Sequence, residues 1–195
     1  MALGIVTTIA LASQSAPVLA IQYGSGTYGA CSYSSCSISI SSASVVTLNV
    51  TPSASGSCTI QQDIVSVSTD NSSGYSLTLA NASTNTALLN GAATIGSTAA
   101  SQAGPATLTV NHWGYRVDGV GGFGPGPTTA QSNASIGTSL FAGVPASNAS
   151  ADTLANTSSA ANPAATTNVW YGVCANTGIA SGTYTTQITY TAVTN

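Results

Sequence analysis

From residue 37 onward, apolar and hydroxyl-bearing positions alternate along the chain. Ile38 and Ile40 stand between Ser37, Ser39 and Ser41, and Val46, Leu48 and Val50 repeat the pattern until Pro52 and Gly56 end it. Val65 and Val67 alternate with Ser66 and Ser68, and Tyr75, Leu77 and Leu79 with Ser76 and Thr78. A period of two, closed by Gly, Pro, Asn or Ser, predicts half-buried β-strands. The polar cluster from Asp70 to Gly74 predicts a β-hairpin between the last two runs. Asn90-Gly91, a favoured two-residue turn, predicts a second.

Leu108 and Val110 keep even parity, whereas Trp113, Tyr115 and Val117 are odd, so a bulge or bend is predicted near Asn111-His112. Residues 119–127, with glycine at 119, 121, 122, 124 and 126, form a loop. Leu140, Phe141 and Val144 make a short apolar cluster closed by Pro145. Residues 146–167 are low-complexity Ala, Ser, Thr, Asn and Pro, long for a loop in a compact domain, with one short strand expected at 152–155. The threonines and Pro163 argue against a long helix there. Val169, Tyr171 and Val173 lead to Cys174, and Tyr184, Thr186, Ile188, Tyr190 and Ala192 share one face of the final run. The pattern predicts an all-β fold, an antiparallel β-sandwich of Ig-like or Greek-key type, with about eight to ten strands. Its tyrosines, Trp113 and Trp170 are the expected large core side chains.

Ahead of these strands, residues 1–12 are an apolar run, followed by Ser13 to Pro17 and then Val18-Leu19-Ala20. Small residues at the −3 and −1 positions predict a secretory signal over residues 1–20, with the mature chain starting at Ile21. The usual basic n-region is missing. A membrane anchor would need about 20 continuous apolar residues, and Ser13 to Ser15 interrupt this run. The predicted organisation is a signal at 1–20, an N-terminal segment with the first strands at 21–57, and one sandwich domain spanning 21–195. No integral membrane domain is expected after signal cleavage.

Charge narrows the function classes. Charged residues make up 3% of the chain, so its surface is built from Ser, Thr, Asn and Gly. One cation cannot neutralise a run of phosphates, which excludes a nucleic-acid partner. Lysine is absent, which excludes Lys–Asn cross-links. An even count of cysteines in an exported chain predicts disulfides among Cys31, Cys36, Cys58 and Cys174, with three connectivities open. Cys31 and Cys36 are placed to close a tight loop, which leaves Cys58 with Cys174. With one histidine and no C-x-x-C spacing, zinc is not expected, and no other cofactor motif is present.

The rare chemistry gathers between Asn111 and Gly119, which holds His112, Trp113, Arg116 and Asp118. A Ser-His-Asp arrangement fails here, because His112 and Asp118 on one strand stand about 20 Å apart. No G-x-S-x-G elbow selects a serine. Four aspartates without a motif give no glycosidase pair, and Asp70 reads as an Asx turn before it reads as a calcium ligand. No catalytic residue is therefore assigned. Arg116 and Asp118, same-face neighbours, are expected to form a structural ion pair on the strand surface. The loop carrying Gly119, Gly121, Gly122, Phe123 and Gly124 is the candidate ligand loop. It lacks the lysine of a phosphate cradle.

Five stretches carry a resemblance. GYSLTL (residues 74–79), LTVNHWGYRVDG (108–119), FAGVP (141–145), VWYGVC (169–174) and SGTYTTQITYTAV (181–193) resemble, in the same order, a family of secreted surface proteins of reduced-genome candidate-phyla bacteria, the Saccharibacteria-like lineages included. The closing strand also looks like the ending of fimbrial and spore-coat-type sandwich subunits, in which the final strand takes part in donor-strand exchange. The resemblance implies an extracellular or cell-surface protein and supplies no catalytic residues. The expected function is a non-catalytic structural or adhesive protein, a filament subunit whose partner is itself or a host or neighbouring cell surface. A strand offered from residues 21–28 would join subunits. A carbohydrate- or host-surface-binding module, with Tyr23, Tyr28, Tyr33 and Phe123 as stacking surfaces, is the second reading. A secreted hydrolase is the third.

Overall fold

A computed structural model of the chain describes residues 5–11, 36–135 and 137–195, the first of these as main chain alone. The strands run in chain order as β1 (Ile5–Leu11), β2 (Ile38–Ser41), β3 (Val45–Val50), β4 (Ser57–Thr69) and β5 (Tyr75–Asn81). Four shorter ones follow, β6 (Leu88–Asn90), β7 (Ala93–Ser97), β8 (Ala106–Thr107) and β9 (His112–Val117). β10 (Gln131–Ala134), β11 (Leu140–Phe141) and β12 (Asp152–Asn156) precede the closing set. That set is β13 (Ala161–Ala175), β14 (Thr183–Tyr184) and β15 (Gln187–Thr194). No helix forms among the described residues, as the Val, Ile, Thr and Tyr content of the runs favours.

Two principal sheets form. In the first, β5 lies between β12 and β15, and β1 lies between the β14–β15 strand and β3. The second has the order β10-β4-β13-β9-β7-β6, with β2 also on β4. β8 and β11 make a separate two-stranded piece. Most pairings are antiparallel; β1 on β14–β15 and β7 on β9 are parallel.

Alternation explains how the sheets bury one common core. In β3, Val46, Leu48 and Val50 are buried while Val45, Thr47 and Asn49 are exposed. The inward rows Leu77 and Leu79 of β5 and Ile188 of β15 pack in one cluster with Trp113 and Tyr115 of β9 and Tyr171 of β13. Each such apolar side chain contributes about 1.5–3 kcal/mol when fully buried. The fold is therefore all-β and sandwich-like. A smaller cluster of Cys58, Ile60, Leu108, Phe141, Trp170 and Cys174 lies on the opposite face of β4 and β13.

Two expectations change. Asp70 to Gly74 is not a hairpin: β4 belongs to the second sheet and β5 to the first, so the turn carries the chain from one sheet to the other. Buried Asn71 fixes this corner. Its Oδ1 accepts from Ser73 N at 3.0 Å, its Nδ2 donates to the Asn195 carbonyl at 2.8 Å, and Gly74 takes φ 83°. The low-complexity stretch is also more ordered than a loop. It supplies β12 and the first half of β13, because β5 and β4 offer it backbone partners. Pro163 falls in the register irregularity between Ala161 and Ala165, where a missing N–H is tolerated. The hairpin at Asn90-Gly91 forms as β6–β7, and Asn111 makes the bend before β9 at φ 64°.

Candidate functional site

The stretch around Arg116 sits at the centre of the second sheet. β9 and β13 pair so that Trp170 lies opposite Arg116, Gly172 opposite Gly114, and Cys174 opposite His112. These residues face away from the main core. Arg116 is nevertheless fully buried, because loops close over it. Its Nη1 donates to the Leu140 carbonyl at 3.2 Å, and its Nη2 donates to the Gly124 carbonyl at 2.8 Å and to Asp118 Oδ1 at 3.1 Å. Trp170 Nε1 donates to the other carboxylate oxygen of Asp118 at 3.3 Å. Asp118 is 42% exposed, so the pair spans the boundary between the covered face and solvent. It is thus a covered clamp where a surface pair was expected. The guanidinium also lies over the Phe123 ring, 5.8 Å from its centroid.

The glycine loop is the lid of this clamp. Gly119, Gly121 and Gly124 take positive φ values of 76°, 60° and 64°, which the loop path requires. A Cβ on Gly126 would overlap Asp118 and Arg116, and one on Gly122 would stand 2.8 Å from Pro105. Phe123 is buried and packs edge-on against Tyr115 at 5.6 Å. This removes it as a stacking platform for sugars: its ring is spent in the core, and the apolar contact outweighs exposure. The other aromatic residues proposed for that role, Tyr23, Tyr28 and Tyr33, lie outside the described residues.

The remaining ionisable groups are tied locally. His112 Nδ1 is 3.0 Å from the Val110 carbonyl and 2.9 Å from Thr109 Oγ1, the arrangement of a histidine at a strand bend. Asp70 Oδ1 accepts from Ser37 N at 2.7 Å. Two aspartates face the space between the sheets. Asp63 of β4 accepts from Tyr190 of β15 at 3.0 Å and from Ala43 N at 3.0 Å, and Tyr171 and Tyr190 share a hydrogen bond of 2.7 Å. Tyr115 of β9 donates to Asp152 of β12 at 2.6 Å. Each Tyr–Asp bond links one sheet to the other. Burial pushes the Asp63 and Asp152 carboxyls above the ordinary range, partly offset by the bonds they accept. Burial likewise pushes Tyr115, Tyr171 and Tyr190 well above the usual phenol value. Alternating sequence showed Tyr190 and Tyr171 as inward positions. Nothing in that alternation shows that an aspartate on the adjacent strand β4 shares their interior.

Cys58 and Cys174 are disulfide-bonded, joining directly opposed positions of β4 and β13. Cys36 is also disulfide-bonded, and its expected partner Cys31 lies outside the described residues. Beside the Cys58–Cys174 bridge, Ile60, Leu108 and Phe141 line a cavity of about 20 Å³. That is room for a single water and too small for an organic ligand. Among the described residues no group of three His, Cys, Asp or Glu is placed to hold a metal ion.

One further feature concerns the main chain. β1 occupies a seat between β3 and the last strand. Ile5, Thr7 and Ile9 stand in register with Val50, Leu48 and Val46, three buried positions, and Leu11 with buried Ile188. Two strand spacings of about 4.8 Å would therefore separate β3 from β14–β15 without it.

No family model, curated protein or solved structure matches the chain.

Proposed function

We propose that the chain is a secreted or cell-surface structural and adhesive subunit, non-catalytic, that works by presenting and joining β-sheet. The observation that carries this reading is the commitment of the rare chemistry to fastening. Arg116, Asp118, Trp170 and Phe123 close a glycine loop over the second sheet. A guanidinium that is fully buried and bound to two carbonyls and a carboxylate is out of a substrate's reach. The Cys58–Cys174 bridge favours an oxidising compartment, and no helix among the described residues is long and apolar enough to cross a membrane. A surface nearly free of charged groups suits a protein exposed to salt and to proteases that cut after Lys or Arg. The resemblance to secreted surface proteins points the same way.

Antibody labelling of intact cells by electron microscopy tests the reading. Label on the outer surface, on fibres or a continuous coat, is the expected result. Label confined to the cytoplasm would overturn it.

A further inference from the structure

We infer that Asn90 is a self-modifying site. The Gly91 nitrogen converts its side-chain amide, through a succinimide, into aspartate and isoaspartate, and the product loosens a joint between the two sheets. The inference rests on the chemistry and packing of one turn and does not depend on the functional reading above.

Of the chain's asparagines, Asn90 alone precedes a glycine. A glycine has no Cβ to hinder its nitrogen as it approaches the preceding side chain, so this dipeptide closes the five-membered ring most readily. The fold leaves that path open. Asn90 ends β6, and Gly91 begins the two-residue turn to Ala93. Gly91 is exposed at φ 59°, with nothing within 4 Å of where a Cβ would stand. Its N–H donates to no main-chain carbonyl among the described residues. The Asn90 side chain is held by one long bond, from Nδ2 to the Ser181 carbonyl at 3.3 Å. Competing positions are closed. Asn71 and Asn81 are buried, and their amides donate to the Asn195 carbonyl at 2.8 Å and to Thr186 Oγ1 at 2.9 Å. Asp118 also precedes a glycine, but Arg116 and Trp170 occupy its two oxygens, and a carboxylate is a poorer target than an amide.

The step needs only water. The Gly91 N–H loses its proton to solvent hydroxide, the nitrogen bonds to Asn90 Cγ, and the Cγ–Nδ2 bond breaks to release ammonia. Water then opens the ring at Cγ, giving aspartate, or at the main-chain carbonyl carbon, giving isoaspartate with the chain rerouted through the side chain. The net change is one amide and one water converted to one carboxylate and one ammonium.

Position supplies the consequence. The Asn90 amide lies against Gly182, where a Cβ would overlap Nδ2. Beside it, Leu89 and Thr185 exchange both main-chain hydrogen bonds at 2.9 Å. This bridge ties the edge strand β6 of the second sheet to the segment that follows β14 in the first. In either product the donor to Ser181 is gone, and a carboxylate oxygen faces that carbonyl instead. Isoaspartate also inserts a methylene into the main chain of the hairpin. Both changes push residues 181–185 away from β6.

The test uses the intact, oxidised full chain, incubated in mildly alkaline and in mildly acidic buffer beside a terminally blocked peptide of sequence LLNGAAT. Peptide mapping by mass spectrometry, with an isoaspartyl methyltransferase labelling isoaspartate, locates the change. Asn90 should convert ahead of every other asparagine, to both products, and faster in the alkaline buffer. Ion exchange should resolve the modified chain as a more acidic species. In that species the Leu89 and Thr185 amides should exchange about tenfold faster, the loss of roughly one hydrogen bond, while β4 and β13 stay protected. The variant Asn90→Asp should show the same acceleration. An Asn90 that stays intact in the folded chain after the peptide has converted overturns the site, and so does another asparagine converting first. Unchanged exchange at Leu89 and Thr185 in both the modified chain and Asn90→Asp overturns the effect on the joint.

Discussion

Removing the Cys58–Cys174 bridge offers a quantitative test of how the sheets are stitched. The bridge links β4 to β13 across a sequence separation of 116 residues. In the chain-entropy description, closing a loop of that length stabilises the fold by about 4.8 kcal/mol at 25 °C, almost entirely by restricting the unfolded chain. The folded side changes little, because β4 and β13 are already paired from Ser57–Ala175 through Thr69–Ala161. Two buried sulfurs are also lost from the cluster around Phe141 and Trp170, which adds about 1 kcal/mol of packing. The variant Cys58→Ala/Cys174→Ala is preferable to a reducing agent, which would also open the bond at Cys36. At roughly 2–4 °C per kcal/mol for a chain of this size, its thermal midpoint should fall by about 12–23 °C. Circular dichroism at low temperature should remain that of the folded parent. The midpoint is read by calorimetry at matched concentration. A drop of less than about 3 °C would refute the reasoning, since it would mean that the bridge does not close a long loop between these strands.

Three other perturbations follow from the same geometry. Arg116→Met deletes the clamp beneath the glycine loop and strands Asp118 and two carbonyls; a loss of about 2–3 kcal/mol in urea unfolding is expected, and an unchanged midpoint would remove any structural role for the charge. Gly172→Ala places a methyl 2.7 Å from the Phe141 ring and 2.9 Å from Leu108, so about 1–3 kcal/mol of stability should be lost, accompanied by changed fluorescence of neighbouring Trp170. Asp63 titrates above its unfolded value because burial disfavours its charge, so its contribution is full below about pH 4 and is lost as pH rises through the folded value. Asp152 acts in the same sense, so wild-type stability should decline from about pH 4 upward. Asp63→Asn should flatten that decline and stabilise the protein at pH 7; a variant with the full wild-type slope would show that Asp63 is not its source.

Strict alternation makes several strands legible in the sequence alone. Val46-Leu48-Val50, Tyr75-Leu77-Leu79 and Tyr184-Ile188-Tyr190 all turn inward as their periods require. Partners are harder to see, since a period of two states which face is buried and not which strand lies alongside. Hence the Asp70–Gly74 turn reads as a hairpin, although it joins different sheets. The short strand expected at 152–155 forms as β12, whereas the Ala- and Thr-rich residues 161–168 have too little apolar contrast to announce a strand and are ordered by the backbone pairing that β4 provides. Phe123 looks exposed in sequence because its neighbours are glycines. Those glycines are what let the loop fold down and bury it. A visible signal does exist at Gly114 and Gly172: glycine inside a strand marks close approach, here of Ala142 and Phe141. Ile5–Leu11 is expected from the sequence to lie in an export signal and pairs in the structure as an interior strand, since an apolar β-branched run is compatible with both.

Hydrogen exchange across the seat of β1 is the sharpest test of strand insertion. Amides of β3 should be protected in the intact full chain and exchange faster by at least about tenfold in Thr7→Pro, while β4 and β13 stay protected in both. Equal protection of β3 in the two proteins would contradict the claim that Ile5–Leu11 completes this sheet.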